Sequence, residues 1–84
     1  MSKRYNTPIA VWGNDEDPRS FIWRGKFYRV CRVLQMWRAQ QSFRQYTEDK
    51  THIMVEAVCQ EEAGIYELCF ERTEGNWFMA KVVD

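Results

Sequence analysis

The chain has 84 residues, with twelve basic and twelve acidic side chains and a formal net charge of zero. This length suits one small domain, and the balanced charge excludes a polybasic protein whose whole surface binds nucleic acid. Apolar residues make up 45% of the chain and charged residues 29%, which excludes extended disorder. The sequence contains no apolar run long enough for a membrane span, and its N-terminus lacks the apolar core of a signal peptide, so a cytoplasmic protein is predicted.

The apolar residues are of the kinds that favour β-strands. Seven Val, four Ile, five Phe, four Tyr, four Trp and four Thr stand against only two Leu and five Ala. β-branched and aromatic side chains pack well on a pleated sheet, whereas Leu and Ala favour helices. We therefore expect an all-β domain whose core depends largely on its aromatic side chains.

The first part of the chain predicts a tail, an acidic turn and a hairpin. Residues 1–7 are polar and predict a flexible N-terminal tail, so a single domain is expected over residues 8–84. An acidic, proline-containing loop at 14–18 follows the short apolar run 9–12. Two strands are expected around a hairpin turn at Gly25, because glycine supplies the positive φ that tight hairpin turns often need.

The second strand of this hairpin, from Phe27 onward, has two interpretations. Its hydrophobic residues follow the spacing of a helix, at Val30, Val33, Leu34 and Trp37. The same positions fit a strand that changes face at a bulge near Val33 and Leu34. The β-branched residues and the preceding hairpin favour the bulged strand, and a short helix within 33–46 is the alternative.

The rest of the chain predicts short strands joined by tight turns. Residues 39–51 are largely polar and predict a short strand and a mobile loop, and further strands are expected at 52–59, 65–72 and 77–83. A meander this small buries its apolar face best by curling, so we expect an antiparallel meander of about five to six strands in a barrel-like sheet. The expected core residues are Trp23, Tyr28, Tyr66, Leu68 and Trp77.

A set of spaced residues resembles the opening signature of an uncharacterised family of small bacterial domains. The matching residues are Pro18, Phe21, Trp23, Arg24, Gly25, Lys26, Tyr28, Val30, Val33, Leu34 and Trp37. Later landmarks at 55–57, 64–68 and 77–84 extend the resemblance over residues 8–84. The family usually has a glycine and paired tryptophans where this chain has Gln41, Phe43 and Arg44. Some members are associated with error-prone DNA polymerases of the Y family and with DNA-damage functions, so the resemblance implies a DNA-repair or polymerase protein as a partner.

The residues predict a protein that is not an enzyme and that holds no metal or cofactor. The sequence has no glycine-rich phosphate loop, no Gly-x-Ser-x-Gly elbow and no His-Glu-x-x-His motif. His52 is the single histidine, and the three cysteines form no Cys-x-x-Cys pair, so we expect structural thiols rather than a zinc site. Glu56 and Glu67 could pair as an acid and a base on neighbouring strands, but glutamates on exposed strand faces ordinarily only aid solubility.

Charge is distributed unevenly along the chain. Residues 1–44 carry nine basic and three acidic side chains, a net of +6, and residues 45–84 carry three basic and nine acidic, a net of −6. Between Arg24 and Arg44 there is no acidic residue, and aromatic residues are interleaved with the basic ones. Basic side chains neutralise phosphates and exposed aromatic rings stack on unpaired bases, so this segment predicts contact with single-stranded DNA or RNA. The expected site residues are Arg24, Lys26, Arg32, Arg38 and Arg44 for phosphates, with Trp37 and Phe43 for base stacking.

Two alternatives account for the same pattern. The basic half could pair with the acidic half across neighbouring strands, with Arg29 or Arg32 opposite a glutamate, and most aromatic rings could belong to the core. A curled sheet with an open edge could instead be a protein-interaction module that docks a partner or forms a weak homodimer. The sequence thus predicts a non-catalytic accessory domain, monomeric or weakly dimeric and without membrane contact, that binds nucleic acid or a protein.

Overall fold

Strand-favouring residues dominate the composition, and strands are what the chain forms. A computed structural model describes residues 2–43 and 46–83, and every regular element within them is a β-strand. The strands are β1 (Ser2–Asn14), β2 (Asp17–Trp23), β3 (Lys26–Phe43), β4 (Tyr46–Cys59), β5 (Glu62–Glu71) and β6 (Asn76–Val83). Each strand pairs antiparallel with the next strand of the chain. The expected all-β antiparallel meander is confirmed, with six strands.

The sheet closes into a ring because β1 pairs with strands on both of its sides. Its second half pairs with β2, and its first half pairs with β6 from Ser2↔Val83 to Ile9↔Trp77. This corrects the expectation of a tail at residues 1–7, because residues 2–7 belong to β1. The sequence pattern concealed this part of β1 because, of residues 4–7, only Tyr5 packs against the core, with its ring centroid 5.0 Å from that of Trp23.

Two bulges in β3 explain the three-residue spacing of Val30 and Val33, which also fits a helix. The register between β3 and β4 shifts once after Val30 and again after Val33. Each shift adds one residue to β3, so the positions opposite fully buried residues of β4 fall three apart, at Val30, Val33 and Met36. The bulged strand is therefore confirmed. The short helix within 33–46 is wrong, since the described part of this segment is strand.

A long hairpin lies where a short strand and a mobile loop were expected. β3 and β4 pair without interruption from Trp37↔His52 to Phe43↔Tyr46, which corrects the interpretation of residues 39–51. β5 pairs with β4 only from Lys50 onward, so the end of the hairpin is a two-stranded ribbon. None of the described side chains of this ribbon, at 39, 40, 42, 48 and 49, is buried. Such positions need no apolar alternation, and the polar sequence therefore does not predict a strand.

The core lies inside the ring, where the inner sides of the strands meet. Phe21, Ile53, Leu68 and Met79 are fully buried. The ring of Phe21 stacks on that of Tyr28, with centroids 4.9 Å apart. Among the expected core residues, Trp23, Tyr28 and Leu68 are buried, and Tyr66 and Trp77 pack against the core. Aromatic side chains thus fill much of the interior.

Candidate nucleic-acid interface

Two of the predicted phosphate-binding arginines are held in ion pairs. Arg32 lies opposite Glu56 of β4, with its Nε 3.3 Å from a Glu56 carboxylate oxygen. Arg38 donates hydrogen bonds from Nε and Nη2 to the two carboxylate oxygens of Asp49, at 2.9 and 2.7 Å. These two arginines therefore pair with the acidic half of the chain, as one of the two alternatives predicts.

Asp49 is the centre of an ion-pair network at one end of the ring. Arg72 lies 3.7 Å from Asp49 and pairs with Asp15 at 2.7 Å. The hydrogen bond donated by Arg38 holds the pKa of the Asp49 carboxyl below its usual value, and the same contact raises the pKa of Arg38. The network joins the turn after β1, the strand β4 and the turn after β5, so it links parts of the chain that are distant in sequence.

Trp37, predicted to stack on a base, is already in contact with another ring. It stacks on His52 of β4, with ring centroids 5.3 Å apart and planes within 7° of parallel. The Nδ1 atom of His52 in turn lies 3.1 Å from a carboxylate oxygen of Glu67. One face of Trp37 is therefore occupied. The other predicted members of this segment, the side chain of Phe43 and the whole of Arg44, lie outside the described residues.

Arg24 and Lys26 are exposed on either side of Gly25 at the turn between β2 and β3. The guanidinium carbon of Arg24 lies 5.0 Å from the ring centroid of Tyr5 and 4.9 Å from that of Trp23, a cation–π arrangement. Within residues 2–43 and 46–83, neither basic side chain forms an ion pair. Both remain available to an anionic ligand.

The aromatic rings that the structure exposes are not the ones the sequence indicated. Trp12 of β1 and Phe27 of β3 expose 49% and 57% of their surface, and their ring centroids lie 6.3 Å apart. Ile22 of β2, the direct partner of Phe27, is exposed beside them. Arg29 follows on β3, exposed and opposite Ser20. We call the surface formed by Trp12, Ile22, Phe27 and Arg29 the aromatic–basic face.

The alternation of inward and outward residues in the hairpin of β2 and β3 indicates this face. Successive side chains of a strand point to opposite sides of the sheet. Because Phe21, Trp23 and Tyr28 are buried, the residues between and beside them, Ile22 and Phe27, must face outward. The core positions expected for Trp23 and Tyr28 already imply this outward orientation of Ile22 and Phe27.

Two glycine-containing connections bring these side chains onto one surface. Gly13 has φ 115° at the bulge that follows Trp12, and a Cβ there would lie 2.5 Å from the carbonyl oxygen of Asp17. Only glycine allows β1 and β2 to approach so closely there. Arg24 and Gly25 have φ 53° and 76°, which is typical of the two-residue turn that matches strand twist. Both connections hold β1, β2 and β3 in a fixed register beneath the exposed rings.

The aromatic–basic face carries positive charge. Within the described part of the chain, Arg29 forms no ion pair. Arg24 and Lys26 lie at the adjoining turn, where Lys26 is opposite the buried Trp23 and lines the smaller cavity beside Tyr28, so Arg29 is the cationic side chain on the face itself. The acidic residue Asp17 is paired with Arg19 at 2.9 Å. An anionic ligand on this face would therefore meet cationic side chains without displacing an existing ion pair at Arg29.

Two cavities lie beside the face rather than on it, and the smaller one reaches Lys26 of the adjoining turn. The larger, about 250 Å³, is lined by Glu16, Met36, Trp37, Arg38, Thr51 and Arg72. Thr51 is buried, and its hydroxyl has no hydrogen-bond partner among the described residues. The smaller, about 110 Å³, adjoins Tyr28 and Tyr66, whose phenol pKa values are raised chiefly by burial. A phenol with a raised pKa stays neutral and does not serve as a base at neutral pH.

The candidate catalytic and metal-binding residues do not come together in one site. In the part of the chain that the structure describes, no group of three His, Cys, Asp or Glu side chains is placed to hold a metal ion. Glu56 and Glu67, the candidate acid and base, contact different partners, Arg32 and His52. Burial raises the pKa of the Cys69 thiol, so this thiol stays protonated. The described residues also contain no helix with the length and apolar character needed to cross a membrane.

Comparison with known proteins gives one match. A family model with the description Domain of unknown function (DUF6504) matches residues 1–84. No curated protein and no solved structure matches the chain. The description of the family names no activity, so function has to be inferred from the surface.

Proposed function

The chain belongs to the DUF6504 family, and we propose that it is a non-catalytic accessory domain that binds single-stranded DNA or RNA through the aromatic–basic face. The observation that carries the proposal is the exposure of Trp12 and Phe27 side by side. Large aromatic side chains are ordinarily buried, because burial of one contributes roughly 1.5–3 kcal/mol. Adjacent exposed rings on a paired sheet therefore favour a ligand that covers them.

The chemistry of this face suits unpaired bases. Aromatic rings stack on any base whose face is free, and a duplex hides the faces of its bases. Arg29, with Arg24 and Lys26 at the adjoining turn, supplies charge for the phosphates that run alongside stacked bases. The two rings lie on β1 and β3, which both pair with β2, so little conformational entropy is lost when the ligand binds.

The proposal changes the membership of the expected site. Arg24 and Lys26 remain in it, and Trp12, Phe27 and Arg29 are added. Arg32, Arg38 and Trp37 are left out of it, because each already contacts a residue of β4. Arg44 and the side chain of Phe43 lie outside the described residues and carry no part of the argument.

The test is the affinity for a labelled oligothymidylate, measured by fluorescence anisotropy at several salt concentrations. Three basic contacts to a single strand predict a slope of log K against log salt of about −2, and Arg29→Ala should reduce its magnitude by about 0.7. Phe27→Ala should weaken binding about tenfold, since one stacked base is worth roughly 1–3 kcal/mol.

The matched controls are Arg38→Ala and Trp37→Ala, which remove a basic and an aromatic side chain from the β3–β4 hairpin. Both should leave the affinity within about twofold of the wild type, because neither residue is on the aromatic–basic face. An absence of binding at low salt, or equal losses in control and test variants, would refute the proposal. A stable dimer buried through Trp12 and Phe27 would refute it as well, because the rings would then be covered by a second copy.

The wider setting is also part of the proposal. The resemblance to a bacterial family with polymerase-associated members supports a role in the bacterial cytoplasm, beside a DNA-repair or polymerase protein. Such a protein should co-purify with this domain from cells. If nuclease treatment abolishes its recovery, the two are joined by nucleic acid, and if recovery is unchanged, the contact is between proteins.

A further inference from the structure

One edge of β3 has no partner strand. β2 pairs with β3 only as far as Arg29, whereas β4 pairs with β3 as far as Phe43. Beyond Arg29, β3 thus has a strand on one side only, within the described residues. After its second bulge, β3 continues in uninterrupted register with β4 from Gln35. The backbone N–H and C=O groups along such an edge can pair with an added strand.

Between Arg32 and Arg38 this edge exposes three apolar side chains. Leu34 and Met36 expose 40% and 41% of their surface, and Val33 is exposed with them. Proteins usually protect a free edge with lysine, proline or an inward-pointing charge. Met36, Trp37 and Arg38 of β3 also line the larger cavity, a groove of about 250 Å³ whose other walls are Glu16, Thr51 and Arg72.

A second copy of β3 fits this edge poorly. From Arg24 to Phe43 the chain has no acidic residue, and β3 itself carries Lys26, Arg29, Arg32 and Arg38. Antiparallel pairing of β3 with another β3 would bring basic side chains together across the new interface. Like charges opposite one another on paired strands are destabilising.

An acidic strand fits the same edge well. Arg32 and Arg38 flank Val33, Leu34 and Met36, and they still expose 67% and 52% of their side chains despite their ion pairs with β4. Arg38 binds Asp49 through Nε and Nη2, and Arg32 pairs with Glu56 through Nε, so among the described contacts each guanidinium keeps an Nη group for a further carboxylate. We infer that the edge of β3 from Val33 to Gln40 binds an extended acidic peptide of a partner protein by strand addition, with aliphatic residues of the peptide on Leu34 and Met36. This site is separate from the aromatic–basic face and does not depend on nucleic-acid binding.

The experiment uses synthetic peptides and the ¹⁵N-labelled full chain. An eight-residue peptide of alternating Val and Glu is compared with the same peptide carrying Lys in place of Glu, and with one interrupted by a central proline. The Val–Glu peptide should shift amide signals along β3 and slow their hydrogen exchange, and the other two should bind at least about tenfold more weakly. Met36→Lys should weaken binding of the Val–Glu peptide about tenfold, and Ile22→Lys, equally apolar but on the other face, should not change it.

Several results would overturn the inference. One is tight binding of all three peptides, which would indicate non-specific adhesion. Another is slow exchange of the β3 edge amides in the free protein together with a dimeric mass in sedimentation, which would assign the edge to a second copy. Equal loss of binding in Met36→Lys and Ile22→Lys would place the peptide elsewhere. Because Met36→Lys changes a side chain that is already exposed, its thermal midpoint should stay near that of the wild type, and the three peptides test the same inference on the unmodified chain.

Discussion

Two neighbouring surfaces of this domain have similar residue types and differ in what those residues contact. On the aromatic–basic face, Trp12 and Phe27 are exposed to solvent. On the β3–β4 hairpin, Trp37 stacks on His52, and Arg38 is hydrogen-bonded to an aspartate. The difference shows that the strands beside a basic and aromatic segment decide how much of it is left free to meet a nucleic acid.

Strand register is the cause of this difference. The hairpin surface of β3 lies against β4, which belongs to the acidic half of the chain and places Asp49 and Glu56 near the two arginines. The start of β3 lies against β2, whose residues opposite Phe27 and Arg29 are Ile22 and Ser20. Charge along the sequence does not reveal which strand meets which.

The largest expected effect is the loss of stability when a buried aromatic ring is removed. Phe21 is fully buried, and Phe21→Ala should lower the free energy of unfolding by about 3–5 kcal/mol. Phe27→Ala removes a ring that is already largely exposed and should lower it by less than about 1 kcal/mol. Urea denaturation of the two variants measures both values. A loss of several kcal/mol for Phe27→Ala would mean that the aromatic–basic face serves folding rather than binding.

Removing the ring of Trp37 should lower the free energy of unfolding by an intermediate amount. Its stacking on His52 and its partial burial predict that Trp37→Ala lowers the free energy of unfolding by about 1–2 kcal/mol. His52→Ala removes the other ring of the pair and should couple to it in a double-mutant cycle. Additive losses from the two substitutions would show that the stacking contributes nothing.

A smaller effect is expected in the pH dependence of stability, through Asp49 on the hairpin surface. Because Arg38 lowers the pKa of Asp49 in the folded state, this carboxylate stabilises the fold above the ordinary aspartate pKa of about 3.9, and the contribution is lost as the pH falls through the lower folded value. Asp49→Asn should therefore be less stable than the wild type at pH 6, and the difference should shrink below about pH 4. Thermal melts across this range test the sign, and a difference that grows in acid would contradict it.

The smallest effect is expected at Arg32. Its contact with Glu56 is a single 3.3 Å pair between largely exposed side chains, so Arg32→Ala should change the free energy of unfolding by no more than about 0.5 kcal/mol. The reciprocal variant, Glu56→Gln, should also be nearly neutral for folding. A loss above about 1.5 kcal/mol would show that the pair is structurally essential.

The sequence predicts the fold of this chain better than its site. β-branched and aromatic residues with alternating burial predict the strands, and the spacing of Val30, Val33 and Met36 makes sense once two bulges are allowed. The start of β1 and the polar ribbon are not predicted in this way, because they are held by backbone pairing and lack a continuous apolar pattern. The exposed rings are not predicted either, because composition alone does not say which aromatic residues exceed what a small core can enclose.

The central claim is most directly tested by mapping amide chemical-shift changes when ¹⁵N-labelled protein is titrated with oligothymidylate. Binding at the aromatic–basic face should give the largest shifts at residues 10–12, 20–22 and 27–29, on the three strands beneath the exposed rings. It should give small shifts at Trp37, His52 and Asp49. Shifts that centre on the β3–β4 hairpin, or no shifts at low salt, would contradict the central claim.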